Sequence, residues 1–372
     1  MTGPAAWHTA CVYYFDDRGR DDLIVDAVRP LFAAVGVPAH FKRHWRRGPH
    51  VRLNFRAGQE ELARRVLPHL EATVGAFLRE RPSVSPASAM AAATLLPLHV
   101  RLLELEREHG QLWPWRADNS VHVEPYDSRA HVFGGAPAAE LVADFYTASN
   151  GTAFESIDLV RCGRQQRLWL AFDLMVATAH ALAAGGIRGG YVSFRAHAEV
   201  FLARTDVPDR WRTDWDCRYR RAAAALGERL RSTVTAVEGA GDAGGAGGAG
   251  GHWAITRAWL DVLCGLRERA FALLDTGQLR MDAAPAGREP PQGASPFLRE
   301  LITNEAFHRR LMPSPAFRRY RLLLNLLYLH LTRLGVRPVD RYLLCHLVAC
   351  SVEERYGLDS VESLRANAAV PS

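Results

Sequence analysis

The chain has 372 residues, 48% hydrophobic and 23% charged, and its 46 lysines and arginines outnumber 40 aspartates and glutamates for a formal net charge of +6. Such a composition excludes wholesale disorder and a fibrous design, and the length allows one large domain or two to three small ones. Nearly all the cations are arginine; this excess of fixed positive charge draws in anions, so nucleic acid, an acidic peptide and an anionic small molecule are all admissible partners.

At the start, WHTACVYYF (7–15) is rich in aromatic and branched residues and predicts a strand, with DDRGRDD as the turn after it. A helix is expected from Leu23 to Val35, stopped by Gly36. Residues 40–55 then predict a hairpin, with HFKRHW and HVRLNF as its arms and RRGP as its turn. Side chains alternate along a strand, so Val51, Leu53 and Phe55 share one face while His50, Arg52 and Asn54 share the other. The apolar face suits packing on a helix, which leaves the polar face to line a cleft.

Helical spacing follows from Gln59 to Leu78, and again in AAATLLPLHVRLLELEREHG (91–110), with RPSVSPAS between them as a breaker. NSVHVEPY (119–126) alternates once more, setting His122 and Glu124 on one face of a further strand and Val121 and Val123 on the other. Beyond GGAP (134–137) the chain becomes mainly helical, at about 138–148, 165–184, 194–204, 214–237, 252–276, 297–311, 316–334 and 338–356. The run GAGDAGGAGGAGG within 239–251 can bury little apolar area and is expected to be a flexible insert. The fold class is therefore α+β: a single domain whose residues 1–135 carry a mainly antiparallel sheet and whose residues 136–356 are mainly helical, with 357–372 as a tail.

The commoner chemistries find little footing. The six cysteines form no CxxC pair, and no HExxH occurs; His40 and His44 are four apart but on an expected strand, where that spacing does not converge on one ion. The glycine-rich stretches have neither nucleotide-loop nor dinucleotide spacing, and GxSxG is absent. No recognisable nucleic-acid motif accompanies the basic hairpin. There is no run long enough to cross a bilayer and no signal peptide, so a cytoplasmic protein without membrane or nucleic-acid partners is expected.

Near the C-terminus, Ser314 followed by Pro315 predicts an N-cap and first helical residue, and Gly335 ends the helix about five turns later. Tyr320, Asn325, Tyr328 and Thr332 interrupt its otherwise apolar surface. Tyrosines on a buried helix also commonly pack the ring and hydrogen-bond the hydroxyl.

Taken in order, FKRHWRRGPHVRLNF, VEPYDSRAHVFGGAPAAELVADFYTASN and YRLLLNLLYLHLTRLG resemble the C-terminal domain of lantibiotic dehydratases, the thiopeptide-type bacteriocin biosynthesis family. Eliminating members remove glutamate from glutamylated Ser or Thr of a precursor peptide. They typically carry a strand like H-L-R-L-R-F, a segment like R-Y-G-G and a helix with H-M-H-x-N-R-L. Here His50 and Arg52 are kept, but Asn54 stands at the second arginine, Val132 at the arginine of the second segment and Tyr328 at the first helical histidine; His330 and Arg333 remain. Replacing arginine by Asn or Val deletes charge that would hold a leaving carboxylate.

The whole chain is also similar to a stand-alone branch of that fold, the pyridine synthases of thiopeptide antibiotics. That resemblance implies a formal aza-[4+2] cycloaddition of two dehydroalanines in a modified precursor peptide, with loss of water and of the leader peptide, and no cofactor or metal. Holding two distant alkenes together is mainly an entropic task, worth effective molarities on the order of 10⁵ M or more. On this reading Tyr320 and Tyr328 are donors to the developing iminol or hydroxyl, Glu124 a base or orienting acceptor, Ser314 and His50 secondary hydrogen-bonders, and Arg52 a holder of a peptide carbonyl. Arg43, Arg46 and Arg47 are expected to hold an acidic leader; an ordinary solvated arginine face is the alternative. Association with dehydratase subunits and a monomeric or homodimeric state are expected. Glutamate elimination and a non-catalytic leader-binding scaffold stay open beside the cyclase.

Overall fold

The computed structural model describes residues 5–84, 96–97, 99–100, 102–103, 107–239, 251–281 and 289–369. Half of the helix expected at 91–110, and residues 240–250 of the expected flexible insert, lie outside the described residues. Two compact units emerge, one of 1–164 with 333–335, the other of 165–332 with 336–372.

The first unit is built on four strands: β1 (Ala6–Tyr13), β2 (Ala39–His44), β3 (His50–Ala57) and β4 (Ser120–Glu124). They pair antiparallel throughout in the order β2-β3-β1-β4. The expected hairpin forms with His44 opposite His50. Its turn closes by a Gly48 N–H bond to the Trp45 carbonyl, and Arg47 and Gly48 both take positive φ (63° and 111°). A residue without a Cβ is needed at 48, because an added Cβ would come within 2.9 Å of the Phe15 ring.

Alternation then sorts the sheet into two faces. Ala10, Val12, Phe41, Val51, Leu53 and Phe55 are buried on one of them. There they meet α1 (19–35), through Phe32 edge-on to Phe55 at 5.6 Å, and a helix at Asn150–Arg161, through Phe154 stacked on Phe41 at 5.2 Å. Each large apolar side chain so buried contributes roughly 1.5–3 kcal/mol. The unit is completed by α2 (59–80), α3 (Ala130–Phe133), α4 (Ala136–Ala148) and α5 (Asn150–Arg161). Both α1 and α2 contain wide π turns, at Leu23–Val28 in α1 and at Leu62–Val66 and Glu71–Gly75 in α2.

The second unit is all-helical among its described residues: α6 (Arg167–Leu182), α7 (Gly186–Leu202), α8 (Pro208–Gly239), α9 (Gly251–Asp275), α10 (Pro296–Thr303), α11 (Pro315–Arg333), α12 (Pro338–Tyr356) and α13 (Ser360–Ala369). A helix that is apolar on every side belongs in a core, and α6 is buried continuously from Leu170 to Ala179, packed by α7, α8, α9 and α12. Its one buried carboxylate, Asp173, is neutralised by a two-pronged bond from Arg229 at 2.6 and 2.5 Å.

Among the differences from the sequence reading, one helix is new and two changes have local causes. The helix at Asn150–Arg161 was not expected. The helix expected from 194 begins at Gly186, absorbing Gly189 and Gly190 because a Cβ on either would strike the Ala184 carbonyl or the Tyr320 hydroxyl. Residues 360–369 of the expected tail form α13, started by Asp359, whose carboxylate accepts from the N–H groups of Val361 and Glu362, and held by buried Leu364 and Ala368.

Candidate functional site

The second face of the sheet is polar from edge to edge. β2 brings His40, Lys42 and His44; β3 brings His50, Arg52 and Asn54; β1 brings Thr9, Cys11 and Tyr13; β4 brings Ser120, His122 and Glu124. The two polar strands β3 and β4 do not pair with each other; β1 lies between them. Thr9, Lys42, Arg46, Arg52, Asn54, Glu124, Pro125 and Asp127 line one small pocket on this face.

Hydrogen bonds fix how several of these groups point. The Thr9 hydroxyl donates to Asn54 Oδ1 at 2.7 Å. Asn54 is 1% exposed, and its Nδ2 has no hydrogen-bond partner. His50 donates from Nδ1 to the Gly48 carbonyl at 2.9 Å and accepts from Arg52 Nε at 3.3 Å. Both ring nitrogens are thereby engaged, and burial, with His44 and Arg52 nearby, holds its pKa well below the ordinary value. His50 is a neutral imidazole that aims the Arg52 guanidinium.

Glu124 takes a Cys11 thiol contact on Oε2 at 3.7 Å, and its Oε1 lies 3.6 Å from the Arg116 guanidinium, too long for a hydrogen bond. Burial pushes the Cys11 thiol up to about 12, so it stays protonated and can donate. Glu124 Oε1 is buried without a hydrogen-bond partner. At the edge of this face Glu108 collects charge: His44 Nε2 reaches its carboxylate at 3.1 Å and Arg129 at 2.8 Å. His44 Nδ1 accepts from the Arg46 N–H at 3.1 Å, and burial beside Arg52 and Lys42 keeps that ring neutral.

The arginines expected to hold a leader divide. Arg43 falls on the apolar side, where its guanidinium bonds the Asp21 carboxylate and the Arg333 carbonyl with only 8% of the side chain exposed. It is a structural cation, because an ion pair this enclosed cannot be exchanged for a solvated partner cheaply. Arg46 bonds the His109 carbonyl and Arg47 the Pro114 carbonyl, and both side chains stay half-buried at the turn. Arg333, kept from the family pattern, is also structural: it donates to the Tyr146 carbonyl and Ser149 hydroxyl at 2.8 and 2.9 Å and lies 4.1 Å over the Phe41 ring.

In the second unit, α11 carries the remaining expected residues. Ser314 caps it by accepting from the Phe317 N–H at 3.3 Å, and Pro315 follows as its first residue. Tyr320 is 4% exposed and donates to the Gly190 carbonyl at 3.0 Å. Tyr328 donates to His197 Nδ1 at 2.6 Å, and the Cys345 thiol approaches its oxygen at 3.6 Å. Burial drives both phenols well above their ordinary range, while His197 is pushed down to about 3 by burial and then by Arg341. Tyr328 and His197 thus form a neutral donor and acceptor pair. His330 stacks on Trp259 at 4.4 Å, and Asn325 is exposed.

Thr9, Lys42, Asp127 and His197 were not singled out from the sequence. Lys42 shares the period-two face of His40 and His44, a signal present in the sequence; the others depend on tertiary neighbours.

Several solved structures are similar to the chain, among them two matched over nearly its whole length. A pyridine synthase, TbtD, from thiomuracin biosynthesis has a TM-score of 0.75 and 37% identity, over 95% of this chain and 99% of that one. TsrL has a TM-score of 0.71 and 21% identity over 99% of both chains, a likeness of fold. No curated protein matches. The family model described as lantibiotic biosynthesis dehydratase C-term matches residues 7–352. This chain belongs to the lantibiotic dehydratase C-terminal family.

Proposed function

We propose that the chain is a pyridine-forming cyclase that joins two dehydroalanines of a modified precursor peptide by a formal aza-[4+2] cycloaddition, then expels water and the leader peptide. One observation carries this reading: 37% identity to a pyridine synthase sustained over 95% of the chain. The departures from the eliminating pattern support it, since Asn54 and Val132 stand where arginines would grip a leaving carboxylate.

The chemistry asks for groups that move protons without bearing fixed charge, because an amide must become an iminol and a hydroxyl and an amide must leave. Glu124, with one carboxylate oxygen that accepts no hydrogen bond and faces Arg116 only at 3.6 Å, suits removal of an amide N–H proton. Arg52, aimed by His50, suits a peptide carbonyl. Tyr328 and Tyr320 are neutral phenols that can serve a substrate as donors only by giving up their bonds to His197 and to the Gly190 carbonyl, and Ser314 keeps its hydroxyl proton while its oxygen caps α11. The partner is a precursor peptide with an acidic leader, for which Arg46 and Arg47 are the available cations of the hairpin turn; the site of action is the cytoplasm, and among the described residues no helix is long and apolar enough to cross a membrane.

The test is incubation with a dehydrated, azole-bearing precursor peptide followed by mass analysis. Leader release with loss of water supports the cyclase. Loss of glutamate from a glutamylated precursor, with no change in the dehydrated one, would replace it by elimination, and binding without any mass change would replace it by a scaffold.

A further inference from the structure

Lys42 is the only lysine in the sequence; every other member of its 46 Lys and Arg is arginine. The two are not equivalent chemically: an arginine guanidinium keeps its proton under all ordinary conditions, whereas a lysine ammonium can give one up when its surroundings disfavour charge. The single lysine is placed where such a difference would count. It lies on β2 directly opposite Arg52 of β3, and like charges facing each other across a ladder are destabilising. It lines the same small pocket as Thr9, Arg52, Asn54 and Glu124, and among the described residues no hydrogen bond or ion pair holds its ammonium.

The other groups at the pocket are incomplete in a complementary way. Asn54 is 1% exposed, and its Oδ1 is occupied by the Thr9 hydroxyl while Nδ2 has no partner. Arg52, 4% exposed, has its Nε on His50, leaving the outer guanidinium nitrogens. Glu124 Oε1 is an acceptor without a donor. Buried polar atoms are costly to leave unmatched, so donors and an acceptor left open around one pocket describe the ligand that would close them: a group with an acceptor oxygen beside an N–H, which is an amide.

We propose that Lys42 is a proton-carrying catalytic residue of this pocket: its ammonium binds the oxygen of a substrate backbone amide beside Asn54 and Arg52 and protonates it as Glu124 takes the amide N–H proton. The inference rests on the cyclase reading and deepens it. The step balances. The N–H bond breaks and its proton goes to the Glu124 carboxylate, the C–N bond becomes C=N, the carbonyl oxygen takes a proton from Lys42, and return of the proton from Glu124 to the neutral amine restores both groups. Titratable groups face Lys42 from every side: neutral His40 and His44 on its own strand, and the charged Arg52 on β3, Arg46 at the turn, and Glu108, Asp127, Arg129 and Glu124 beyond. Burial first, then Arg52 and Arg129, lower its pKa to about 8, against Asp127 and Glu108, which raise it. A lysine so lowered is a better proton donor near neutral pH than an ordinary one.

The experiment compares wild type, K42R and K42M on the dehydrated, azole-bearing precursor, with peptide affinity read separately by fluorescence anisotropy. Because the chain has one lysine, ¹³C-lysine labelling gives a single lysine side-chain signal whose titration is followed in the same preparation. The expected result is a signal titrating near pH 8 and a wild-type kcat/KM that falls above that pH. K42R is expected to keep its affinity within about threefold yet lose about 10²-fold in kcat, as for removal of one donor to a charge-developing oxygen. K42M is expected to lose at least as much. A K42R enzyme with wild-type kcat, or one whose rate still falls near pH 8, overturns the proposal. A wild-type chain that leaves the precursor mass unchanged overturns the cyclase reading and this inference together; wild-type turnover matched by K42R overturns the inference alone.

Discussion

The polar face of the sheet and the two tyrosine hydroxyls of α11 handle buried polarity in opposite ways. On α11 both tyrosine hydroxyls have internal acceptors, the Gly190 carbonyl for Tyr320 and His197 for Tyr328. On the sheet, Asn54 Nδ2 and Glu124 Oε1 are buried without hydrogen bonds, and Lys42 faces Arg52. A satisfied network fixes a structure, whereas an unsatisfied one stores a cost that a ligand can relieve. The comparison places the stronger demand for substrate on the sheet. The loss of arginines at 54 and 132 does not leave this pocket without charge, since Lys42, Arg46 and Arg52 line it against Glu124 and Asp127.

The comparison can be broken by substitution. The largest effect is expected at the open acceptor: E124Q keeps shape and removes the base, and should lower kcat by about 10²–10⁴-fold. Steady-state kinetics on the dehydrated precursor check it, and a change below tenfold would remove Glu124 from proton transfer. Y328F should cost less, about tenfold in kcat, because the hydroxyl must be drawn from His197 before it can serve a substrate. If Y328F equalled E124Q in effect, the ranking of the two regions would be reversed.

Both regions keep buried neutral histidines, and that shared property has a pH signature. An ordinary histidine titrates at about 6.5 once unfolded, while His197 folded is pushed down to about 3 and His50 and His44 lie well below the ordinary value. Between these limits the unfolded chain binds more protons, so stability present above about pH 6.5 should be lost as pH falls toward 3. At about pH 4.5 His197 alone should cost about 2 kcal/mol or more. Urea unfolding across this range reads it, and a flat profile would mean that these rings are solvated. The smallest effect is expected at the turn, where R46E and R47E should weaken precursor binding about three- to tenfold at low salt and less at high salt.

The sequence made some of this visible and hid the rest for definite reasons. Alternation in 50–55 and 119–126 identified the polar faces, because a period of two needs only local information. The Ser314–Pro315 start of α11 was legible for the same reason. Strand order was not: nothing in either segment says that β1 lies between β3 and β4, and without that order Thr9 has no reason to be paired with Asn54. Arg43 looked like its neighbours Arg46 and Arg47 until alternation was combined with Asp21, which is distant in sequence. The start of α7 was misplaced because Gly189 and Gly190 read as breakers, whereas they answer to close contacts with the Ala184 carbonyl and Tyr320.

The central claim is that this chain closes a peptide upon itself and, in doing so, cuts it from its leader. Quantifying ring product, released leader peptide and water loss from one dehydrated, azole-bearing precursor tests that claim most directly. Ring and leader appearing in equal amounts, with one water lost per ring, is the predicted result. Leader release without ring formation, or an unchanged precursor mass, would contradict it.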